Sequence, residues 1–186
     1  LAKGVLGTDN VDAQLGDGLP AEVVLGLPRA TIDEVCTPGG TILYLGPDPK
    51  EDLGVLFLRL RHAVVDDGVT LVEVAPRSSG ISSLAEASLL ARPGEMGELV
   101  RALVATSTVE REVAGVPADV VNATRTLIAG SKGALTVVLG RPSLGEPVGS
   151  LVDAATAIVY ALPPAALYYA ARKYMVSGLV AGATKA

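Results

Sequence analysis

Thr41-Ile-Leu-Tyr-Leu-Gly-Pro-Asp-Pro-Lys-Glu-Asp-Leu53 decides the fold. Thr41 to Leu45 is short, apolar and closed by Gly46, the pattern of a strand buried on both faces. Asp48 can then act as N-cap, Pro49 as the first helical residue and Glu51 as the third-position partner of a capping box. The spacing predicts a helix to about Val65, with Leu53, Leu56, Leu60 and Val64 on one face. Glu51 and Asp52 near its start, with Arg59, Arg61 and His62 near its end, match the helix dipole. Asp66-Asp67-Gly68 makes a turn, and Val69 to Val74 reads as a second strand. Strand, helix, strand in about thirty residues is a βαβ unit, whose two strands run parallel through a right-handed crossover. The turn after Gly46 therefore presents backbone N–H groups at the mouth of a parallel sheet, where α/β proteins bind nucleotides and other phosphates.

The flanking sequence extends this unit. Upstream, Pro20 can open a helix to Leu27, Thr31 can cap another ending near Cys36, and Thr37-Pro-Gly-Gly40 is a break. Downstream, Ala75 to Pro93 reads as a loose connection with flexible Ser78-Ser79-Gly80 and a short apolar piece near Leu84 to Leu90. Glu95 to Ala105 reads as a helix, and Pro117 or Ala118 opens another that stops at Gly130. Leu135 to Leu139 is a third strand, again closed by a glycine, Gly140. Ser143 and Glu146 form a second potential capping box ahead of a helix to about Leu162. Ala165 to Ala171 fits a strand or a helix equally. The sum is an α/β chain with an open, mostly parallel, doubly wound sheet and helices on both faces. We expect residues 1–162 to form the α/β domain and 163–186 a C-terminal extension.

Composition narrows the function. Hydrophobic residues make up 49% of the 186, with only 3% aromatic and no Trp, so Val, Leu, Ile and Ala must build the core. That apolar content excludes a disordered chain. A net charge of −5, without a basic stripe interleaved with aromatics, argues against nucleic acid as a partner. One Cys (Cys36) and one His (His62) cannot supply a zinc site or an iron–sulfur cluster from this sequence alone. A single Cys also excludes an internal disulfide and fits a reducing, cytosolic setting. No signal peptide is legible near Lys3, and the beginning at Leu1 fits a piece of a longer polypeptide. The most membrane-like stretch, Leu151 to Ala171, contains Asp153 and Pro163-Pro164 and fails as a bilayer span.

Candidate chemistry is sparse. No Gly-x-Gly-x-x-Gly follows a strand, no Gly-x-x-x-x-Gly-Lys-Ser/Thr is present, and Gly178 to Lys185 has the wrong spacing. Gly46-Pro47-Asp48-Pro49 reads as a phosphate cradle or as an ordinary strand-to-helix turn; the negative Asp48 favours the turn. At the end of the second strand, Ala75 stands where an acid would accept ribose hydroxyls. Arg77 could hold a phosphate, but a capping or surface ion-pair role fits better. His62 has no nucleophile system to serve, and Cys36 reads as a small buried hydrophobe. Asn122-Ala-Thr124 is a chance glycosylation sequon inside a helix, and Asp66-Asp67 a solvated turn. No catalytic constellation and no metal-ligand set emerges.

Four segments in order carry a family resemblance: Leu6-Gly-Thr-Asp-Asn-Val-Asp12, Gly46-Pro-Asp-Pro-Lys-Glu-Asp-Leu53, Leu58-Arg-Leu-Arg61 and Val74-Ala-Pro-Arg77. Together they resemble the molybdopterin oxidoreductase family, most closely the large iron–sulfur subunits of bacterial, especially actinobacterial, NADH-quinone oxidoreductase (respiratory complex I). Gly140-Arg-Pro-Ser-Leu144 resembles a later segment of the same subunits, and the likeness fades after about Pro163. The resemblance implies a Rossmann-type domain. It also implies that Gly46, Asp48, Pro49 and Arg77 mark a degenerate pterin-dinucleotide site, with Ala75 replacing the Asp that binds guanosine. Gly54 departs from the proline usual there. The implied role is that of a scaffold domain without its own catalysis, cofactor or metal, supporting electron transfer from NADH to quinone. Iron–sulfur clusters are expected elsewhere in the full subunit. Its partners would be other peripheral-arm subunits, on the cytoplasmic side and peripheral to the plasma membrane, without direct membrane insertion. Two alternatives stand beside it: a fragment of an active molybdopterin-dependent oxidoreductase, and an unrelated α/β nucleotide-binding module.

Overall fold

The computed structural model describes residues 29–140 and 145–161, with positions 4, 5, 7 and 26 besides. The sequence segments Pro20–Leu27, apart from Gly26, and Ala165–Ala171 lie outside these described residues. A short helix α1 (Ile32–Val35) opens with a reciprocal capping box, in which the Thr31 and Glu34 side chains bond each other's backbone N–H. Then follow β1 (Thr41–Leu45), α2 (Pro49–Asp52), α3 (Gly54–Val65), β2 (Thr70–Ala75), β3 (Ala87–Leu90), α4 (Met96–Val104), α5 (Ala118–Ala129), β4 (Leu135–Leu139) and α6 (Val148–Ala161).

All strand pairs are parallel, in the order β3-β2-β1-β4. Thr41 of β1 is in register with Thr70 of β2 on one side and Leu135 of β4 on the other. The period-two alternation of strand side chains then divides the core into two layers. Leu43, Leu45, Val72, Val74 and Leu89 pack with α4, α5 and α6, while Ile42, Tyr44 and Leu71 pack with Leu60 and Ala63 of α3. The chain is thus an α/β fold with helices on both faces of an open parallel sheet.

Several local expectations change. The helix foreseen from Pro49 to Val65 is two helices, because Leu53 leaves the helical region at φ −136° and ψ 57°. Gly54 follows directly, and a glycine gives the second helix no side-chain packing across the break. Leu53 is consequently 48% exposed, off the buried face where its spacing with Leu60 had placed it. Asp48 does cap α2, but through Lys50 N–H, and Glu51 forms no capping box. Of the second Ser/Glu pair, the Glu146 carboxylate accepts from Gly94 N–H at 2.7 Å, while Ser143 lies outside the described residues. Ala75 to Pro93, read as loose, contains β3 and a closely bonded loop. Among the described residues no helix is long and apolar enough to cross a membrane.

Candidate functional site

The topology fixes where a ligand crevice would form. From β1 the chain moves toward β2 and β3, whereas β4 lies on the other side of β1. The carboxyl ends of β1 and β4 are therefore the switch point of the sheet, the usual crevice of open α/β folds. Gly46 and Gly140 stand at these two ends.

The backbone is drawn together there. Gly140 N–H donates to the Leu45 carbonyl at 2.8 Å. A Cβ on Gly140 would fall 2.7 Å from Pro47 Cδ, and one on Gly46 would fall 3.0 Å from the Tyr44 ring. These glycines thus admit the protein's own Pro47 and Tyr44; Pro47 fills the space over Gly140 that an approaching phosphate would need. Tyr44 locks the turn from below, its hydroxyl donating to the Pro47 carbonyl at 2.7 Å.

Asp48 completes the closure. One carboxylate oxygen accepts from Lys50 N–H at 3.0 Å and the other from Gly80 N–H at 2.9 Å. Two donors, one from the first turn of α2 and one from the loop after β2, are thus occupied by a side chain of the protein. Gly80 is required for this approach, because a Cβ there would lie 2.6 Å from Lys50 Cβ. Pro49 is buried in the first turn of α2. Arg77 does not turn into the mouth: it pairs with Glu51 at 3.6 Å, both side chains largely exposed. Of the four sequence-marked residues, Gly46, Asp48 and Pro49 form one turn, and Arg77 brackets that turn from outside.

Sequence reasoning missed Glu73. It is 1% exposed on β2, beside Tyr44 in register. Its carboxylate accepts from the hydroxyl of Ser79, and from that of Ser88 at 2.7 Å. The only sign was an acid inside an otherwise apolar strand, Thr70-Leu-Val-Glu-Val-Ala75. Ser79 and Gly80, read as flexible, are the residues that bind Glu73 and Asp48. Glu146 is a second buried carboxylate, and its Oε2 has no partner among the described residues.

Family models give no match to this chain, and neither do curated protein sequences.

Among the described residues, the one His and the one Cys stand apart from this mouth. His62 is exposed and bonded to Asp66 at 2.7 Å. Cys36 is buried among the residues around α3, and burial pushes its thiol pKa up, away from the reactive thiolate. Among the described residues no three His, Cys, Asp or Glu side chains converge on a metal position. Two open hollows, of about 460 and 440 Å³, lie against α5 and away from the switch point. At this mouth the two N–H donors hold the Asp48 carboxylate, β2 ends in Ala75, and Arg77 is paired with Glu51.

Tyr44 gives this locked turn a pH signature. Burial, then the nearby charges of Asp48, Asp52 and Glu73, push its phenol pKa well above the ordinary value. The native state therefore retains a proton that the unfolded chain releases above pH ~10. The resulting stabilisation is complete below that pH and falls as pH rises further. Urea midpoints measured from pH 8 to 11 should fall steeply above 10 in the wild type and less steeply in Tyr44→Phe. The variant should also lose about 1 kcal/mol at pH 8 through the unpartnered Pro47 carbonyl.

Proposed function

We propose that this chain is a non-catalytic α/β scaffold domain whose ligand mouth is closed by its own side chains. The observation that carries this reading is the Asp48 carboxylate, which holds Lys50 N–H and Gly80 N–H together where an anion would dock. Its proposed setting is the large iron–sulfur subunit of NADH-quinone oxidoreductase, respiratory complex I. The order of the segments around Asp12, Gly46, Arg61 and Arg77 supports that setting. In it the domain keeps the shape of a pterin-dinucleotide domain, binds no pterin, and packs against other peripheral-arm subunits on the cytoplasmic side of the membrane. The iron–sulfur clusters belong to other parts of the full subunit.

Two measurements test the two halves separately. The chain is titrated with GMP, GDP, ATP and inorganic phosphate while its melting temperature is followed. A scaffold gives no saturable rise, whereas a binder must be stabilised by its ligand. A saturable rise with one nucleotide would replace the scaffold reading with a nucleotide-binding module. The full-length subunit is then assayed for molybdenum, tungsten and pterin fluorescence, and for co-purification with peripheral-arm subunits. Stoichiometric metal with pterin would establish an active molybdopterin enzyme instead. Failure to co-purify would remove the complex I setting and leave the scaffold reading intact.

A further inference from the structure

The two edges of the sheet differ in kind. β3 is a short edge with polar punctuation: Glu86 precedes it, an exposed Ser88 interrupts it, and Arg92-Pro93 follows. Such features blunt an edge against further pairing. β4 is likewise followed by Arg141-Pro142, but no acid directly precedes it and no residue within it is exposed. It is Leu135-Thr-Val-Val-Leu139, half-buried along its whole length, without a charge, proline or bulge. An apolar run of this kind belongs to a strand covered on both sides.

The ladder shows which groups remain. Thr41 N–H donates to the Ala134 carbonyl, and Gly140 N–H donates to the Leu45 carbonyl. With the parallel register between these points, the amides of Thr136 and Val138 face β1. Those of Leu135, Val137 and Leu139 point to the outer edge, which among the described residues has no strand beside it.

Handedness selects the occupant. The β1-to-β2 crossover passes through α3 on one face and moves toward β3. The β3-to-β4 crossover passes through α4 and α5 on the other face and moves the opposite way. Both directions obey the right-handed rule. α6 follows β4 on the same face as α4 and α5, through Leu151, Ala154, Ala155 and Ile158. A right-handed return from α6 therefore arrives outside β4.

We propose that the outer edge of β4 docks a fifth parallel strand supplied by this chain after Ala161, with Ala165–Ala171 as the pairing segment. Twenty-five residues follow Ala161. In sequence, the helix-breaking pair Pro163-Pro164 stands between Ala161 and that segment, and three intervening residues suit a connection of ordinary length. Ala-Ala-Leu-Tyr-Tyr-Ala-Ala is uncharged and matches the apolar edge in length and character.

Amide hydrogen exchange on the full chain tests this. The amides of Leu135, Val137 and Leu139 should be protected to within about tenfold of Thr136 and Val138. Exchange about a hundredfold faster at those three positions alone overturns the proposal. In the double variant Leu167→Pro/Tyr168→Pro, one proline meets the ladder in either phase. Protection should then fall at least about tenfold at the three outward amides while the inward two keep theirs. Retained protection that weakens on dilution assigns the edge to a second copy of the chain and refutes the proposal, as does retained protection independent of concentration. Should the variant fail to fold, wild-type amide-to-amide Overhauser contacts between β4 and 165–171 decide; their absence refutes it.

Discussion

Gly97→Val is expected to destabilise the domain by about 3 kcal/mol, at the upper end for an overpacked core. Gly97 is buried in the first turn of α4, directly against the first turn of α6. A Cβ there would fall 2.4 Å from Ser150 Oγ and 2.8 Å from the Ser150 carbonyl oxygen. The hydroxyl could rotate away, but the carbonyl belongs to the α6 backbone. Arg101 pins the same residue, donating to its carbonyl at 3.3 Å and its hydroxyl at 3.2 Å. Accommodating valine means separating the helices, which opens the layer containing Leu99, Leu103, Leu151 and Ala155. Gly149→Ala supplies the contrast. It lies one residue away in the same turn, with no atom within 4 Å of a built Cβ. It should be neutral or stabilising by up to about 1 kcal/mol through the unfolded chain. Urea denaturation of both variants decides; equal midpoints would refute the close-approach account.

Asp48→Ala should cost about 2–4 kcal/mol. The N-cap contributes about 1 kcal/mol, and the orphaned Gly80 N–H about 1–3 kcal/mol. Asp48→Asn should fall between wild type and alanine, because its amide offers an acceptor to one of the two N–H groups and a donor to the other. An isolated helix cap would leave the 78–80 loop untouched. The crosslink instead predicts faster exchange at Gly80 and Ser79 amides in the alanine variant. Normal protection there, with less than about 0.5 kcal/mol lost, would leave Asp48 as a surface residue of no structural consequence.

Local chemistry made much of this fold readable. A short apolar run closed by Gly46, an Asp-Pro helix start and a second apolar run are enough to specify β1, α2 and β2, and Leu135–Leu139 is equally plain. The break at Leu53 was less so, since the leucine spacing continues through it and only Gly54 hints at an interruption. β3 was harder still: four residues interrupted by Ser88 lie below what alternation can resolve. At the site, the role of Asp48 as a cap follows from its neighbours in sequence, but its bond to Gly80 joins positions 32 apart. The same distance effect hid Glu73, which is meaningful only once Ser79 and Ser88 are folded around it. Capping is a local energy and shows in the sequence; satisfaction of a buried carboxylate is a tertiary one and does not.

The central position of β1 has a consequence in time. Its partner on one side, Thr70, is 29 residues away, whereas its partner on the other, Leu135, is 94 residues away. On a ribosome adding about 5–20 residues per second, the second neighbour emerges roughly 5–20 s after β1 itself. For that interval the first half of the sheet carries a vacant apolar slot along its innermost strand. The nascent chain is thus exposed longest at the strand that ends up most protected.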